Sequence, residues 1–195
     1  MLLSDAHHRR TVPLPIARRS RRTGHAPTSD RLRETLFNVL APRIEGARFL
    51  DLYAGSGAVG LEALSRAAAQ VDFVERAPAA LAVLRKNLDR LALTAGFRMH
   101  AASVGAMLRK MTSGPAFDIV FLDPPYDAAE EYAGTLELLD RNHALLLAPE
   151  AVVIVEHRRK QELEDCYGQL LRTRLLKQGD AALSFYQASV AAAEQ

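Results

Sequence analysis

The chain has a single cysteine, Cys166, in 195 residues. That excludes an internal disulfide framework and any zinc site built from several cysteines. No run of about 18 apolar residues occurs, so no membrane-crossing helix is expected. No Pro/Gly/Ser-rich linker and no internal repeat divides the sequence. Strong net charge is lacking too, since 25 Lys+Arg oppose 23 Asp+Glu, a formal balance of +2. What is present is a chain that is 49% hydrophobic and moderately charged, which excludes a disordered protein. The length suits one domain of the larger common size.

The charge is unevenly spread. Residues 1–43 hold nine arginines (Arg9, Arg10, Arg18, Arg19, Arg21, Arg22, Arg31, Arg33, Arg43) and three acids, a balance of +6. The rest of the chain is −4. A basic arm on a mildly acidic body suits a protein steered to a polyanion. Arg18, Arg19, Arg21 and Arg22 are the candidate nucleic-acid contacts. The rival readings are a solubilising tail and a targeting peptide. Pro13 and Pro15 break any amphipathic helix there, and no apolar stretch precedes a small-residue cleavage site. The expected organisation is a basic arm over 1–26 and one domain over 27–195.

Along the chain, Pro27-Thr28-Ser29-Asp30 offers helix-start chemistry. Leu32, Leu36, Val39 and Leu40 follow at helical spacing, and Pro42 ends that helix. Strands are expected at 47–53, 71–75, 97–100, 117–123 and 151–156. Helices are expected at 61–69, from Pro78 to Leu91, around Met107 to Met111, and at 128–140. Tyr167 to Leu176 and Ala181 to Gln187 flank Lys177-Gln178-Gly179-Asp180, which reads as a hairpin turn. Strands alternating with helices predict an α/β fold with a mostly parallel sheet covered on both faces and a closing antiparallel hairpin.

Gly55-Ser56-Gly57-Ala58-Val59-Gly60 matches G-x-G-x-x-G directly after a strand and opening a helix. Glycines there permit a tight turn and a close approach of backbone to ligand. Asp51, at the strand end, can order the loop or meet an amine on the ligand. Glu75 ends the second strand, where an acid can accept both ribose hydroxyl hydrogens. A dinucleotide would set its pyrophosphate on the helix N-terminus. An adenosine with an amino-acid tail would use the same loop, and the glycine motif does not separate the two.

Asp123-Pro124-Pro125-Tyr126 follows a strongly apolar strand. An exocyclic amine on a base is a poor nucleophile because its lone pair is delocalised into the ring. Attack on a methyl sulfonium needs that lone pair aligned and the N–H hydrogens held by acceptors. Asp123 can accept one hydrogen and the Pro124 carbonyl the other. Tyr126 can stack on the base, worth about 1–3 kcal/mol per base in single-strand binders.

Asp51 to Arg66 together with Asp123 to Tyr126 resembles an S-adenosylmethionine-dependent methyltransferase. The block Pro27-Thr28-Ser29-Asp30-Arg31-Leu32-Arg33-Glu34-Thr35-Leu36-Phe37-Asn38 is similar, more narrowly, to the RsmD family. Gly179 to Tyr186 is similar to that family's end. The resemblance covers about residues 26–187. It implies a Rossmann-like class I methyltransferase with a seven-stranded sheet. It also implies methylation of the exocyclic N2 of a guanine in small-subunit (16S) ribosomal RNA, naked or in a partly assembled subunit. The protein would then be cytoplasmic and monomeric, with S-adenosylmethionine as cofactor.

Carried onto this sequence, Asp51, Ala54, Gly55, Ser56 and Gly57 would hold the methionine part of the cofactor. Glu75 would take the ribose hydroxyls with Arg76 beside it at the cofactor, and Ser103 would fall near the adenine edge, where the family usually offers Asp or Asn. Thr28 and Arg31 would cover the cofactor. Asp123, Pro124, Pro125 and Tyr126 would hold the flipped guanine. Ala26 stands where the family commonly has Arg.

Rival functions stay in view. An adenine-N6 DNA methyltransferase would use the same Asp-Pro-Pro-Tyr turn, but no target-recognition insertion is evident. A nicotinamide-dependent oxidoreductase would fit the glycine turn and Glu75, but no Tyr-x-x-x-Lys pair stands out. A non-enzymatic RNA-binding module would not need Asp123. His7 and His8 are adjacent and poorly placed to chelate, so no metal is expected. Cys166 reads as a small apolar residue. Glu156-His157 reads as a surface pair at a strand end rather than an acid–base dyad, and Arg158-Arg159-Lys160 as a solvated face, with a phosphate contact as the rival reading.

Overall fold

The computed structural model describes residues 30–111, 114, 116–125 and 129–189. The basic arm, with Arg18, Arg19, Arg21 and Arg22, lies outside the described residues, as do Thr28 and Tyr126. The chain opens with α1 (Asp30–Leu40), then β1 (Arg48–Leu52), α2 (Ala58–Ser65), β2 (Gln70–Val74) and α3 (Pro78–Arg90). β3 (Phe97–His100), α4 (Val104–Lys110), β4 (Phe117–Leu122) and α5 (Ala129–Arg141) follow. It closes with α6 (His143–Leu146), β5 (Leu147–Arg158), β6 (Cys166–Tyr167), β7 (Leu170–Gln178) and β8 (Ala181–Ala188).

All strands join one sheet in the order β3-β2-β1-β4-β5-β8-β7-β6. β1 to β5 pair in parallel, and β8 returns antiparallel to β5. The seven expected strands are therefore present. The two-residue β6 is an eighth, too short to leave a period in the sequence. α2 ends earlier than its apolar pattern suggests, because Ala67 takes a left-handed φ of 66°. No helix among the described residues is long and apolar enough to cross a membrane.

Successive strand residues point to opposite faces, so each buried strand feeds two cores. On β4, Ile119 and Phe121 join Phe49, Phe73, Ile154 and Phe185 beneath α1 to α3. Val120 and Leu122 join Leu50, Leu52, Val153 and Val155 against α4, α5 and α6. α1 contributes Leu32, Leu36, Phe37 and Leu40, one apolar stripe at helical spacing, all fully or almost fully buried.

Cys166 is exposed on β6. One expectation fails here. Glu156 and His157 are not a surface pair, since they are 1% and 3% exposed. At these positions β5 has run past its last pairing with β4 and pairs with β8 alone. As consecutive strand residues, Glu156 and His157 point to opposite faces and form no dyad.

His157 Nδ1 lies 2.9 Å from the Arg158 carbonyl and Nε2 lies 2.9 Å from Ser184 Oγ. A carbonyl only accepts, so a neutral ring donates from Nδ1 and accepts the serine hydrogen at Nε2. Burial lowers the His157 pKa below its ordinary 6.5. The unfolded chain then binds the proton more readily. Stability from this site is full above about pH 6.5 and falls as pH drops toward the depressed native value. His157→Gln is expected to flatten that acid limb in denaturant unfolding between about pH 7.5 and 5. An unchanged acid slope would assign the limb to other groups.

Candidate active site

The strand order reverses between β1 and β4, both of which run the same way. In an open α/β sheet the crevice beyond the strand ends at such a switch point is where ligands bind. The glycine turn leaves β1 there, and Asp123-Pro124-Pro125 leaves β4 beside it. Topology thus brings together two motifs that stand far apart in sequence.

The glycine turn is held from several sides. Gly55 has a φ of 58° and Gly57 a φ of 80°, in the left-handed region that favours glycine. Tyr53 adopts the same region at φ 63° without being glycine, a local strain placed at the mouth of the crevice. Ala54 N donates to the Val74 carbonyl at 2.9 Å, and Gly57 N to the Ala54 carbonyl at 2.8 Å. From α3, Asn87 Nδ2 donates to the Ser56 carbonyl at 2.9 Å. Asn87 is buried and was not expected as a site residue. Its signal is a polar residue within the apolar stripe of Leu84 and Leu88.

Three carboxylates are buried along this edge: Asp51 (2% exposed), Glu75 (4%) and Asp123 (5%). Asp51 Oδ2 accepts from Gly60 N at 3.0 Å and so pins the first turn of α2 to β1. Glu75 Oε2 accepts from Gly55 N at 2.9 Å, and its Oε1 from Ala77 N at 2.7 Å. Two such donors orient Glu75 without by themselves exhausting its roughly four acceptor directions. Ala54 and Ser56 are buried in the turn.

A second contact set joins the cofactor side to the helix that follows Asp-Pro-Pro-Tyr. The Tyr53 and Thr135 hydroxyls share a hydrogen bond of 2.8 Å, and Thr135 is buried on α5. Burial pushes the Tyr53 phenol well above its ordinary range, only partly offset by the Thr135 hydrogen bond, so it stays protonated. Arg76, next to Glu75, pairs with Glu131 of α5 at 3.6 Å. Nothing in the spacing of Tyr53, Thr135 and Glu131 announces this link, which only the packing of α5 creates.

Ser103 opens α4, and its Oγ accepts from Ala106 N at 3.3 Å as a helix cap. It sits just beyond β3, beside β2 in the sheet. Arg31 is exposed on the first turn of α1. Pro124 is buried and Pro125 half-buried. Among the described residues, no group of three or more His, Cys, Asp or Glu is placed to hold a metal ion.

The parallel sheet with its antiparallel close, the glycine turn at the switch point and the adjoining Asp-Pro-Pro exit together define a class I methyltransferase. A family model described as Conserved hypothetical protein 95 matches residues 9–187. The chain belongs to this family, the RsmD family.

Its relatives include the Escherichia coli K12 protein described as Ribosomal RNA small subunit methyltransferase D. That protein is 44% identical over 149 residues, covering 75% of this chain and 69% of the relative. The Haemophilus influenzae protein of the same description is 39% identical over 144 residues, covering 72% of each. The solved structure of Escherichia coli yhhF matches with a TM-score of 0.75 at 36% identity, covering 90% of each chain.

Proposed function

We propose that the protein transfers a methyl group from S-adenosylmethionine to the exocyclic N2 amine of a guanine in small-subunit ribosomal RNA. The observation that carries the reading is the buried Asp123, with Pro124 behind it, leaving β4 beside the glycine turn of β1. The names of the relatives supply the RNA class. The chemistry of an Asp-Pro-Pro turn supplies the amine.

The residues present fit the cofactor. Glu75, held by two backbone donors, is placed to accept ribose hydroxyls. The left-handed Gly55 and Gly57 present a backbone that a ligand can approach closely. Asp51 and Asn87 keep that turn in shape from below and from the side. Arg76 flanks the ribose end. Ser103 bounds the adenine side, with its hydroxyl already engaged as a cap. Thr28 and Arg31 belong to the segment that would cover the site.

The cofactor supplies an electrophilic methyl on a sulfonium. Asp123 accepts one amine hydrogen and the Pro124 carbonyl accepts the other, which turns the nitrogen lone pair out of the ring. Proline donates no N–H, so nothing at that turn competes for the amine. As the nitrogen is alkylated it gains positive character. Asp123 stabilises that charge and holds the departing proton. Tyr126 would stack on the extruded base. The rest is proximity and in-line orientation.

The test uses small-subunit RNA from cells that lack the corresponding methylation. Incubation with labelled S-adenosylmethionine should place label in N2-methylguanosine after nucleoside digestion. Label in N6-methyladenosine, or transfer to DNA alone, would overturn the reading. Comparing naked RNA with partly assembled subunits would identify the preferred substrate.

A further inference from the structure

The basic run at the end of β5 is more than a solvated face. β5 parallels β4, so Arg158, Arg159 and Lys160 emerge at the same sheet edge as Asp123 and the glycine turn. Arg158 pairs with Ala181 at the start of β8, and Ala181 pairs with Gln178 at the end of β7. The turn holding Lys177 and Asp180 therefore lies at that edge too. Arg158, Arg159, Lys160 and Lys177 are all exposed.

This surface is built on a fixed frame. Arg159 N donates to the Asp180 carbonyl at 2.8 Å, and Gln161 N to the Arg158 carbonyl at 2.9 Å. Those bonds hold the basic run against the hairpin turn. Thr35 Oγ1 meets Gln178 Oε1 at 2.9 Å, which fastens α1 to the same turn. Arg31 lies one helical turn before Thr35 and so faces the same region.

Past the basic run the chain turns inward at Leu163. Leu163 is buried in the α5 side of the core, Tyr186 Oη donates to the Glu164 carbonyl, and Asp165 pairs with Arg172 near the start of β7. Exposed acids near this edge include Asp180, Glu34 and, in the first turn of α5, Glu130. Some surface cations are paired, as in Arg33–Asp30, Arg66–Glu62 and Arg141–Glu137. Among the described residues Arg159, Lys160 and Lys177 make no such ion pair.

We propose that Arg159, Lys160 and Lys177 form a rim that binds RNA phosphates beside the nucleotide entering the active site. The proposal rests on the RNA methyltransferase reading and adds the surface that docks the strand. Unpaired cations on a rigid frame at the rim of a catalytic crevice suit a polyanion, because each phosphate contact releases a condensed counterion. The acidic balance of the remaining body, −4 beyond residue 43, would otherwise oppose RNA on this face.

The test compares wild type with the triple variant Arg159→Gln, Lys160→Gln, Lys177→Gln in binding a transcribed small-subunit RNA. Binding is measured across a salt series. The variant is expected to bind about tenfold or more weakly at low salt, with a log–log salt slope shallower by about two to three. S-adenosylhomocysteine affinity and the thermal midpoint should stay at wild-type values. Unchanged RNA affinity and slope would overturn the rim. A defect seen on partly assembled subunits but absent on naked RNA would overturn it in favour of a protein contact. Failure of the methyltransferase reading would show separately, as wild type that binds RNA but transfers no methyl group to it.

Discussion

Asp123→Ala is expected to lower methyl transfer to RNA by about 100- to 1000-fold in kcat, with the fold and S-adenosylhomocysteine binding retained. The argument starts from the amine. Its lone pair is conjugated into the base, and in-line attack requires that conjugation to be broken. Two acceptors on the N–H hydrogens achieve this, and Asp123 is the charged one of the two. Alanine leaves only the Pro124 carbonyl and removes the group that stabilises positive charge on the alkylated nitrogen.

Cofactor affinity should be nearly unaffected, because the contacts that shape the cofactor turn come from Asp51, Glu75 and Asn87. Asp123→Asn separates charge from shape, since its amide oxygen still accepts while its charge is gone. It should fall between wild type and alanine. Single-turnover rates at saturating RNA would decide, and a wild-type rate in Asp123→Ala would remove this residue from the chemistry.

Gly57→Val is expected to destabilise the protein by about 3–5 kcal/mol and to abolish cofactor binding. Two independent costs add here. The φ of 80° lies where a β-branched residue is strained. A Cβ at this position would also stand 2.3 Å from Leu84 Cδ1 and 3.5 Å from Leu61. Leu84 is fully buried, so it has little room to yield.

Gly179→Ala isolates the first cost. Gly179 has a φ of 59° in the hairpin turn, and a Cβ there would meet nothing within 4 Å. That variant should lose only about 1–2 kcal/mol. Denaturant unfolding of both variants measures the difference, and equal losses would show that packing against Leu84 contributes nothing. The Gly57 variant should also fail to bind S-adenosylhomocysteine under conditions where it remains folded, because the turn must move to relieve the clash.

Much of the fold was readable because the physics was local. The apolar stripe of α1, the buried runs of β1 and β4 and the proline at the start of α3 each act within one element. The hairpin turn at Lys177 to Asp180 was readable for the same reason. β6 was not, because two residues carry no period. The burial of Glu156 and His157 was missed because a charged residue and a histidine at a strand end look solvated. Only the folding of distant segments buries them, with Ser184 of β8 against the His157 ring.

By itself the sequence determined the chemistry on offer: a glycine turn after a strand, Glu75 at the next strand end, and an Asp-Pro-Pro-Tyr exit from a buried strand. These are short motifs whose local geometry follows from residue type. Tertiary structure alone decided where they meet. It set β1 beside β4 at the switch point, turned Asn87 and Glu75 onto the glycine loop, and joined Tyr53 and Arg76 to α5. It also gathered Arg159, Lys160 and Lys177 at the catalytic edge. Strand order and burial are set by the packing of the whole chain, and no local pattern encodes them.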